Sequence, residues 1–154
     1  MPLNRETRTT GPNIGQLFRA EQKKRVERPL FLGGVSAGFP SPAEDYTDGT
    51  LDLNELLIRN QAATFFVRVD GESMTGAGIH HDDILVVDRS RQAEHNDIVI
   101  AVLDGELTVK RLVQDKGTVR LAPENPSYPS IDIKNHEGCQ IWGVVTSGIH
   151  QFLY

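Results

Sequence analysis

Cysteine is almost absent from the 154-residue chain: Cys139 stands alone. One thiol closes no internal disulfide and builds no cysteine-based zinc cluster. Long apolar runs are missing too. No stretch reaches the roughly 18 apolar residues that would suggest a membrane-spanning helix. The opening MPLNRETRTTGPN lacks the apolar core of a secretory signal. Internal repeats and low-complexity tracts are also lacking. A cytoplasmic protein without membrane contact is the expectation. The remainder is ordinary for a globular chain, 38% hydrophobic and 24% charged. A core of about 110 residues can stand without staples.

The net charge of −5 is unevenly spread. Residues 1–36 hold seven basic side chains (Arg5, Arg8, Arg19, Lys23, Lys24, Arg25, Arg28) and three acidic ones (Glu6, Glu21, Glu27), a net of +4. Residues 37–154 hold nine basic and eighteen acidic groups, a net of −9. So acidic a body is poorly suited to phosphate backbones, and strong direct DNA binding is not expected of it. The basic arm suits nucleic acid or an acidic partner, although solvated tails of this kind are commonplace.

Ile14, Leu17 and Phe18 are spaced like one face of a short helix, too short to fold alone. The arm is also too short for a helix-turn-helix reader of DNA. Residues 31–50, rich in Gly, Pro and Ser, read as an extended linker. LDLNELLIRN (51–60) reads as a helix with Asp52 as N-cap and Leu53, Leu56 and Leu57 as its apolar face. From Thr64 the pattern becomes strands: 64–70, 83–88, 97–113 as a hairpin turning at Asp104-Gly105, and 117–123. Residues 141–154 read as a last hairpin turning near Ser147-Gly148. The fold class expected is mainly β: short antiparallel strands, one short helix and an extended N-terminal arm.

Two residue patterns could carry chemistry. Gly71-Glu72-Ser73-Met74 follows a strand directly and runs into Thr75-Gly76-Ala77-Gly78. A serine held there, with backbone N–H groups around it, has what a nucleophile with an oxyanion hole requires. Most serines in Gly-rich turns are simply turn formers. In the strand Gly105–Val113, alternation sets Leu107, Val109 and Arg111 on one face and Thr108, Lys110 and Leu112 on the other. One of the two adjacent basic residues must therefore point with apolar neighbours. A lysine so placed loses its preference for charge and can act as a general base, which an arginine cannot. The alternative is a lysine snorkelling over the sheet.

Histidines offer rivals. His80-His81-Asp82-Asp83 supplies four ligand types in a row, but consecutive residues rarely converge on one ion and the usual two-His spacings are missing, so no metal is expected. His95, His136 and His150 have no partner pattern. No Gly-x-Ser-x-Gly elbow supports a Ser/His/Asp triad. Cys139 reads as a packing or rim residue.

Gly71-Glu72-Ser73-Met74, Gly78-Ile79 and Asp82–Asp88 resemble the serine region of the LexA/UmuD family of self-cleaving serine peptidases. Asn96–Ala101 with Gly105–Leu112 resembles its lysine region, and Leu121–Pro126, Tyr128 and Trp142–Val145 its C-terminal strands. Gly38-Phe39-Pro40-Ser41-Pro42-Ala43, Asp45-Tyr46 and Asp52–Ile58 resemble the UmuD-type members rather than the repressors. The likeness covers about residues 29–154.

The resemblance implies a LexA/signal-peptidase-like β domain and a serine–lysine dyad. Ser73 would be the nucleophile and Lys110 the general base, with the backbone N–H groups of Glu72 and Ser73 holding the oxyanion and no cofactor or metal. It implies self-cleavage at Ala37-Gly38, where UmuD-type chains usually show Cys-Gly and repressors Ala-Gly. Residues 1–37 would then be a flexible basic arm removed by cleavage, and residues 38–154 the peptidase-like domain. It further implies an SOS-response role in DNA damage and repair. Cleavage would be stimulated by a RecA–single-stranded-DNA filament, and the processed homodimer would serve as accessory subunit of a UmuC-like translesion polymerase. The apolar stretches Ile141–Val145 and Ile149–Tyr154 are the candidate dimer surfaces. The rival is a non-cleaving interaction protein with a vestigial dyad.

Overall fold

Tight turns organise the sheet. Asp104 (φ 50°) and Gly105 (φ 82°) both adopt the left-handed conformation that a two-residue hairpin requires. A second such turn, at Lys116-Gly117, follows directly. The structure, a computed structural model, describes residues 14–19, 25–31 and 47–153. In chain order its strands are β1 (Ile14–Arg19), β2 (Glu27–Phe31), β3 (Thr47–Asp52), β4 (Thr64–Val69), β5 (Ile84–Asp88), β6 (Ile98–Leu103), β7 (Glu106–Asp115), β8 (Thr118–Ala122), β9 (Ile131–Asp132) and β10 (Gln140–Ile149). The α-helix among the described residues is α1 (Leu53–Leu57). The protein is mainly β, as the sequence pattern requires.

Eight strands form one antiparallel sheet in the order β1-β4-β5-β10-β6-β7-β8-β9, and β2 pairs with β3 in a separate ribbon. Hairpins β6–β7 and β7–β8 are local. The last strand is not: β10 inserts between β5 and β6 and runs antiparallel to both. The expected hairpin at Ser147-Gly148 is therefore absent. Residues 140–149 instead form a single ten-residue strand with register shifts between Ile141 and Gly143 and between Val145 and Ser147. Each shift bends the strand from one neighbour to the next. Ile141–Val145 thus lies inside the sheet, with Ile141 and Gly143 paired to β6, Val145 to β5 and Val144 to both.

The expected helical face at Ile14, Leu17 and Phe18 is also corrected. The segment is strand β1, paired with β4 from Ile14↔Val69 to Arg19↔Phe65. A ready partner edge outweighs a weak local preference. Within 51–60 only Leu53–Leu57 is helical. Asp52 is its N-cap, accepting from the Asn54 N–H at 2.8 Å, and its other carboxylate oxygen accepts from the Val26 N–H at 3.0 Å. The leucine face does not enter the core, since Leu53 and Leu56 remain more than half exposed.

One buried cluster joins Val67, Val69, Met74, Ile79, Leu85, Val87, Ile100, Leu107 and Val109. On the opposite face of β6–β7, Val99, Ala101, Leu112 and Leu121 form a second. The two-residue periodicity of the strands thus yields one sheet with apolar packing on both sides, and the second cluster lies on the face that carries Lys110.

Gly143 is fixed by packing. A Cβ there would lie 2.6 Å from Val87 Cγ1 and 3.3 Å from Arg89 Cγ, and Val87 is fully buried and β-branched. Gly143→Ala is expected to destabilise the protein by about 1–3 kcal/mol, the usual range for overpacking. Urea unfolding checks this: an unchanged midpoint would mean the β5–β10 contact can give way.

Candidate active site

The loop after β4 is closed at its base by two backbone bonds, Val69 N–H to Asp83 O at 2.8 Å and Asp82 N–H to Val69 O at 2.9 Å. Inside it, Met74 is 1% exposed and anchors the loop in the first core cluster. Its carbonyl accepts from the N–H groups of Ala77 (3.0 Å) and Ile79 (3.2 Å) across the 3-10 turn Thr75–Ala77. A second segment, just after β8, holds the loop from outside. Glu124 N–H donates to Ser73 O at 2.8 Å, Gly76 N–H donates to Glu124 O at 2.7 Å, and Asn125 Nδ2 donates to Glu72 O at 2.9 Å. Three successive carbonyls, of Glu72, Ser73 and Met74, are therefore engaged, and the peptide planes that carry the serine are set.

Glu124 is itself steadied. Its carboxylate pairs with Arg111 Nε, and Arg111 Nη1 donates to Asn96 O at 2.7 Å. Glu124, Asn125, Gly76 and Arg111 have structural roles here that the sequence reading did not assign. The only local signal was the turn-rich Pro123-Glu124-Asn125-Pro126, and its target lies some fifty residues away.

Ser73 and Lys110 meet. Both are almost fully buried, at 2% and 4% exposure, and Lys110 Nζ lies 3.0 Å from Ser73 Oγ. Nζ is also 3.0 Å from Thr108 Oγ1 and 3.0 Å from Val109 O. Lys110 pairs with Val99 across β6–β7, so its stem rises from a face shared with Val99, Ala101 and Leu112. Burial there lowers its pKa from 10.5 to about 8. Desolvation is the cause, and among the described residues no carboxylate raises it back.

A neutral amine has two N–H donors and one lone pair. Val109 O can only accept and so takes one N–H, while the Thr108 hydroxyl can take the other and leave the lone pair open to Ser73 Oγ. The Ser73 O–H can then donate to it, as abstraction of its proton requires. Beside the pair lies a cleft of about 400 Å³, lined by Leu103, Glu106, Leu107, Tyr128, Pro129 and Ile131 with Thr108 and Lys110. Its walls are largely apolar, which suits an extended segment with small or apolar side chains.

The histidines go elsewhere. His81 Nδ1 accepts from the Gly71 N–H at 3.2 Å and lies 3.4 Å from Asp70. His95 Nδ1 accepts from the Gln114 N–H at 2.9 Å. His136 lies 3.4 Å from Asp104, and His150 bonds to buried Asp83 at 2.5 Å. Asp83 also accepts from the His80 N–H. Among the described residues, no group of three or more His, Cys, Asp or Glu side chains could hold a metal ion, and no helix is long and apolar enough to cross a membrane. Cys139 is partly buried and unbridged, its thiol pKa raised by burial and by Asp104. Ala37 and Gly38 lie outside the described residues.

The lowered lysine pKa makes stability depend on pH with a definite sign. Between about 8 and 10.5 the unfolded chain binds a proton at Lys110 that the folded chain does not, so stability rises with pH across this window. Below about 8 the full burial penalty is present. Compared with Lys110→Met, the wild type is expected to gain up to roughly 3 kcal/mol from pH 8 to 10.5. Urea unfolding of both at several pH values is the measurement, and parallel profiles would place the amine in water. Gly76 offers a geometric test, because a Cβ there would lie 2.5 Å from Glu124 O, a backbone atom. Gly76→Ala is expected to push the serine loop off the 123–126 segment and to lower any Ser73 reactivity at least about tenfold, the scale at which misplacement of reacting groups is felt. Labelling of Ser73 by a fluorophosphonate reads this directly.

A family model described as Peptidase S24-like matches residues 29–146. The chain is 53% identical over 123 residues to Protein SamA of Salmonella typhimurium strain LT2, covering 80% of this chain and 85% of that protein. It is 43% identical over 135 residues to Protein MucA of Escherichia coli, covering 86% and 92%. Against the LexA repressor of Clostridium kluyveri it is 33% identical over 135 residues, covering 88% of this chain and 65% of the repressor.

Proposed function

The chain belongs to the Peptidase S24-like family, within the LexA/UmuD group, and from that premise we propose that it cuts its own N-terminal arm at Ala37-Gly38 with Ser73 as nucleophile and Lys110 as general base. The observation that carries this reading is the 3.0 Å approach of Lys110 Nζ to Ser73 Oγ, with both side chains almost fully buried.

In the proposed reaction Ser73 Oγ attacks the Ala37 carbonyl as its proton passes to neutral Lys110. The backbone N–H groups of Glu72 and Ser73 hold the oxyanion. The Ala37–Gly38 bond breaks, Lys110 returns its proton to the Gly38 amine, and the acyl group stays on Ser73. A water then attacks this ester as Lys110 accepts its proton, the bond from the Ala37 acyl carbon to Ser73 Oγ breaks, Lys110 returns the proton to Oγ, and residues 1–37 leave with a carboxylate at Ala37. Small residues at 37 and 38 let an extended chain enter the cleft without a side-chain clash. The reaction uses no cofactor, and its rate follows the fraction of time the arm is docked.

By the same reading a RecA–single-stranded-DNA filament favours the docked arm after DNA damage. The product, residues 38–154, serves as accessory subunit of a UmuC-like translesion polymerase in SOS mutagenesis. It acts as a homodimer, for which the exposed Ile149, Phe152 and Leu153 are the available apolar tail residues. The acidic body is not expected to bind DNA directly.

Only neutral Lys110 is competent, so spontaneous cleavage should rise about tenfold per pH unit below its pKa of about 8 and flatten above it. Ser73→Ala should fold and yield no fragment. Lys110→Arg keeps the charge but supplies no neutral base, and should also be inert. A bulky or charged residue in place of Gly38 should block cutting with the Ser73 site intact. Mass spectrometry of the purified full chain from pH 6 to 10, with and without RecA filament and nucleotide, is the test. A new N-terminus at Gly38 in Ser73→Ala would remove the nucleophile assignment. A rate flat from pH 7 upward would point to a histidine base, with His80, His81 and His95 the first to replace. No fragment under any condition would favour a non-cleaving interaction protein.

A further inference from the structure

The serine loop has a further support, supplied by the chain just after β10. β10 pairs with β5 as far as Ile149↔Ile84, so the antiparallel register carried one step on sets His150 opposite Asp83. Asp83 is the last residue before β5, and it is 5% exposed. Both oxygens of its carboxylate are engaged. Oδ2 accepts from the His80 N–H at 2.8 Å, and Oδ1 lies 2.5 Å from His150 Nδ1. An ionised carboxylate only accepts, so Nδ1 carries the proton. Among the described residues no other side chain bonds to this carboxylate. The rings of His80 and His150 meet edge to face with 5.5 Å between centroids, and the Phe152 ring meets that of His150 at 5.0 Å.

We propose that His150 is a positioning residue for Ser73 and acts through Asp83. The inference rests on the reading of Ser73 as nucleophile. The contacts between the two are continuous. Asp83 closes the base of the loop through its carbonyl, which accepts from the Val69 N–H, and its own N–H donates to His80 O at 3.2 Å. His80 is thus held to Asp83 by both its N–H and its carbonyl. Ile79, the preceding residue, donates its N–H to Met74 O, and Met74 is the buried neighbour of Ser73. The Glu124 segment fixes the serine from outside, and His150 fixes the limb of the loop that returns to β5. The geometry of a nucleophile depends on such outer supports.

Loss of the imidazole leaves Asp83 Oδ1 buried without a partner, which a carboxylate does not tolerate. The carboxylate then turns toward water, and Oδ2 moves away from the His80 N–H. The support lost is a single hydrogen bond to an exposed residue that belongs to neither core cluster, so the sheet itself stays folded.

Wild type, His150→Leu and His150→Asn, all full length, test this. Asparagine offers Asp83 an N–H donor from nearly the same place as Nδ1, and leucine offers none. Labelling of Ser73 by a fluorophosphonate should slow at least about tenfold in His150→Leu, and His150→Asn should recover most of that loss. With Asp83→Asn already present, His150→Leu should slow labelling little further, because the two residues act as one unit. Amide exchange is read with Ser73→Ala added, so that the chain stays whole. The N–H groups of His80 and Asp82 should exchange at least about tenfold faster in the leucine variant and near the parent rate in the asparagine variant. Equal labelling and exchange in wild type and His150→Leu would overturn the proposal. So would an asparagine variant as impaired as the leucine one, or full additivity with Asp83→Asn. If wild-type Ser73 takes no label at all, the nucleophile reading fails, and exchange at His80 and Asp82 still decides whether His150 holds the loop.

Discussion

A lysine side chain held almost out of water, with no carboxylate beside it among the described residues, is the constraint around which this structure is arranged. Charged and unpaired, Lys110 would oppose folding, and its environment instead favours the neutral amine at mildly alkaline pH. The three contacts at Nζ suit that neutral state. Val109 O and Thr108 Oγ1 take up N–H donors, and the remaining direction faces Ser73 Oγ. Burial that merely excluded water would leave the amine unsatisfied. Burial with these partners leaves the neutral amine a lone pair within reach of a hydroxyl.

The serine needs a different kind of support. Lys110 is placed by a strand, where register fixes direction, but Ser73 lies in a turn, where it does not. The segment around Glu124 supplies the missing constraint by bonding to backbone atoms on both sides of the serine. Arg111, adjacent to Lys110 on β7, pairs with Glu124. One strand thus positions the lysine with one residue and steadies the serine loop with the next. Alternation along β7 is what allows both, because neighbouring side chains leave opposite faces.

These features differ in how far the sequence discloses them. Asp104-Gly105 is a turn signal of two adjacent residues, so the β6–β7 hairpin, and with it the face that carries Lys110, was legible. The contact of Ser73 with Lys110 was legible only through resemblance, since 37 positions separate them and no local rule spans that distance. The Glu124 clamp was not legible, because it works through main-chain atoms that any residue possesses. The insertion of β10 was missed because Ser147-Gly148 reads as a turn, whereas its neighbourhood is a bulge that lets one strand serve two partners. At Ile14, Leu17 and Phe18 a helical spacing in so short a segment yielded to the backbone groups of β4. The misreadings share a cause: each depended on what the rest of the sheet left unpaired.

This dependence also explains why the first part of the chain can be both arm and strand. β1 and β2 are each paired with a strand that follows residue 46. The body differs. The segment from β4 through β10 contains both core clusters and the Ser73–Lys110 pair, and among the described residues no member of either cluster precedes Val67. A protein that is to separate from part of its own chain needs this asymmetry. The segment to be lost must borrow its structure from the remainder, while the remainder must not rely on the segment for its core. Among the described residues, both clusters and the buried amine lie after residue 46, on the side that the proposed cut would leave.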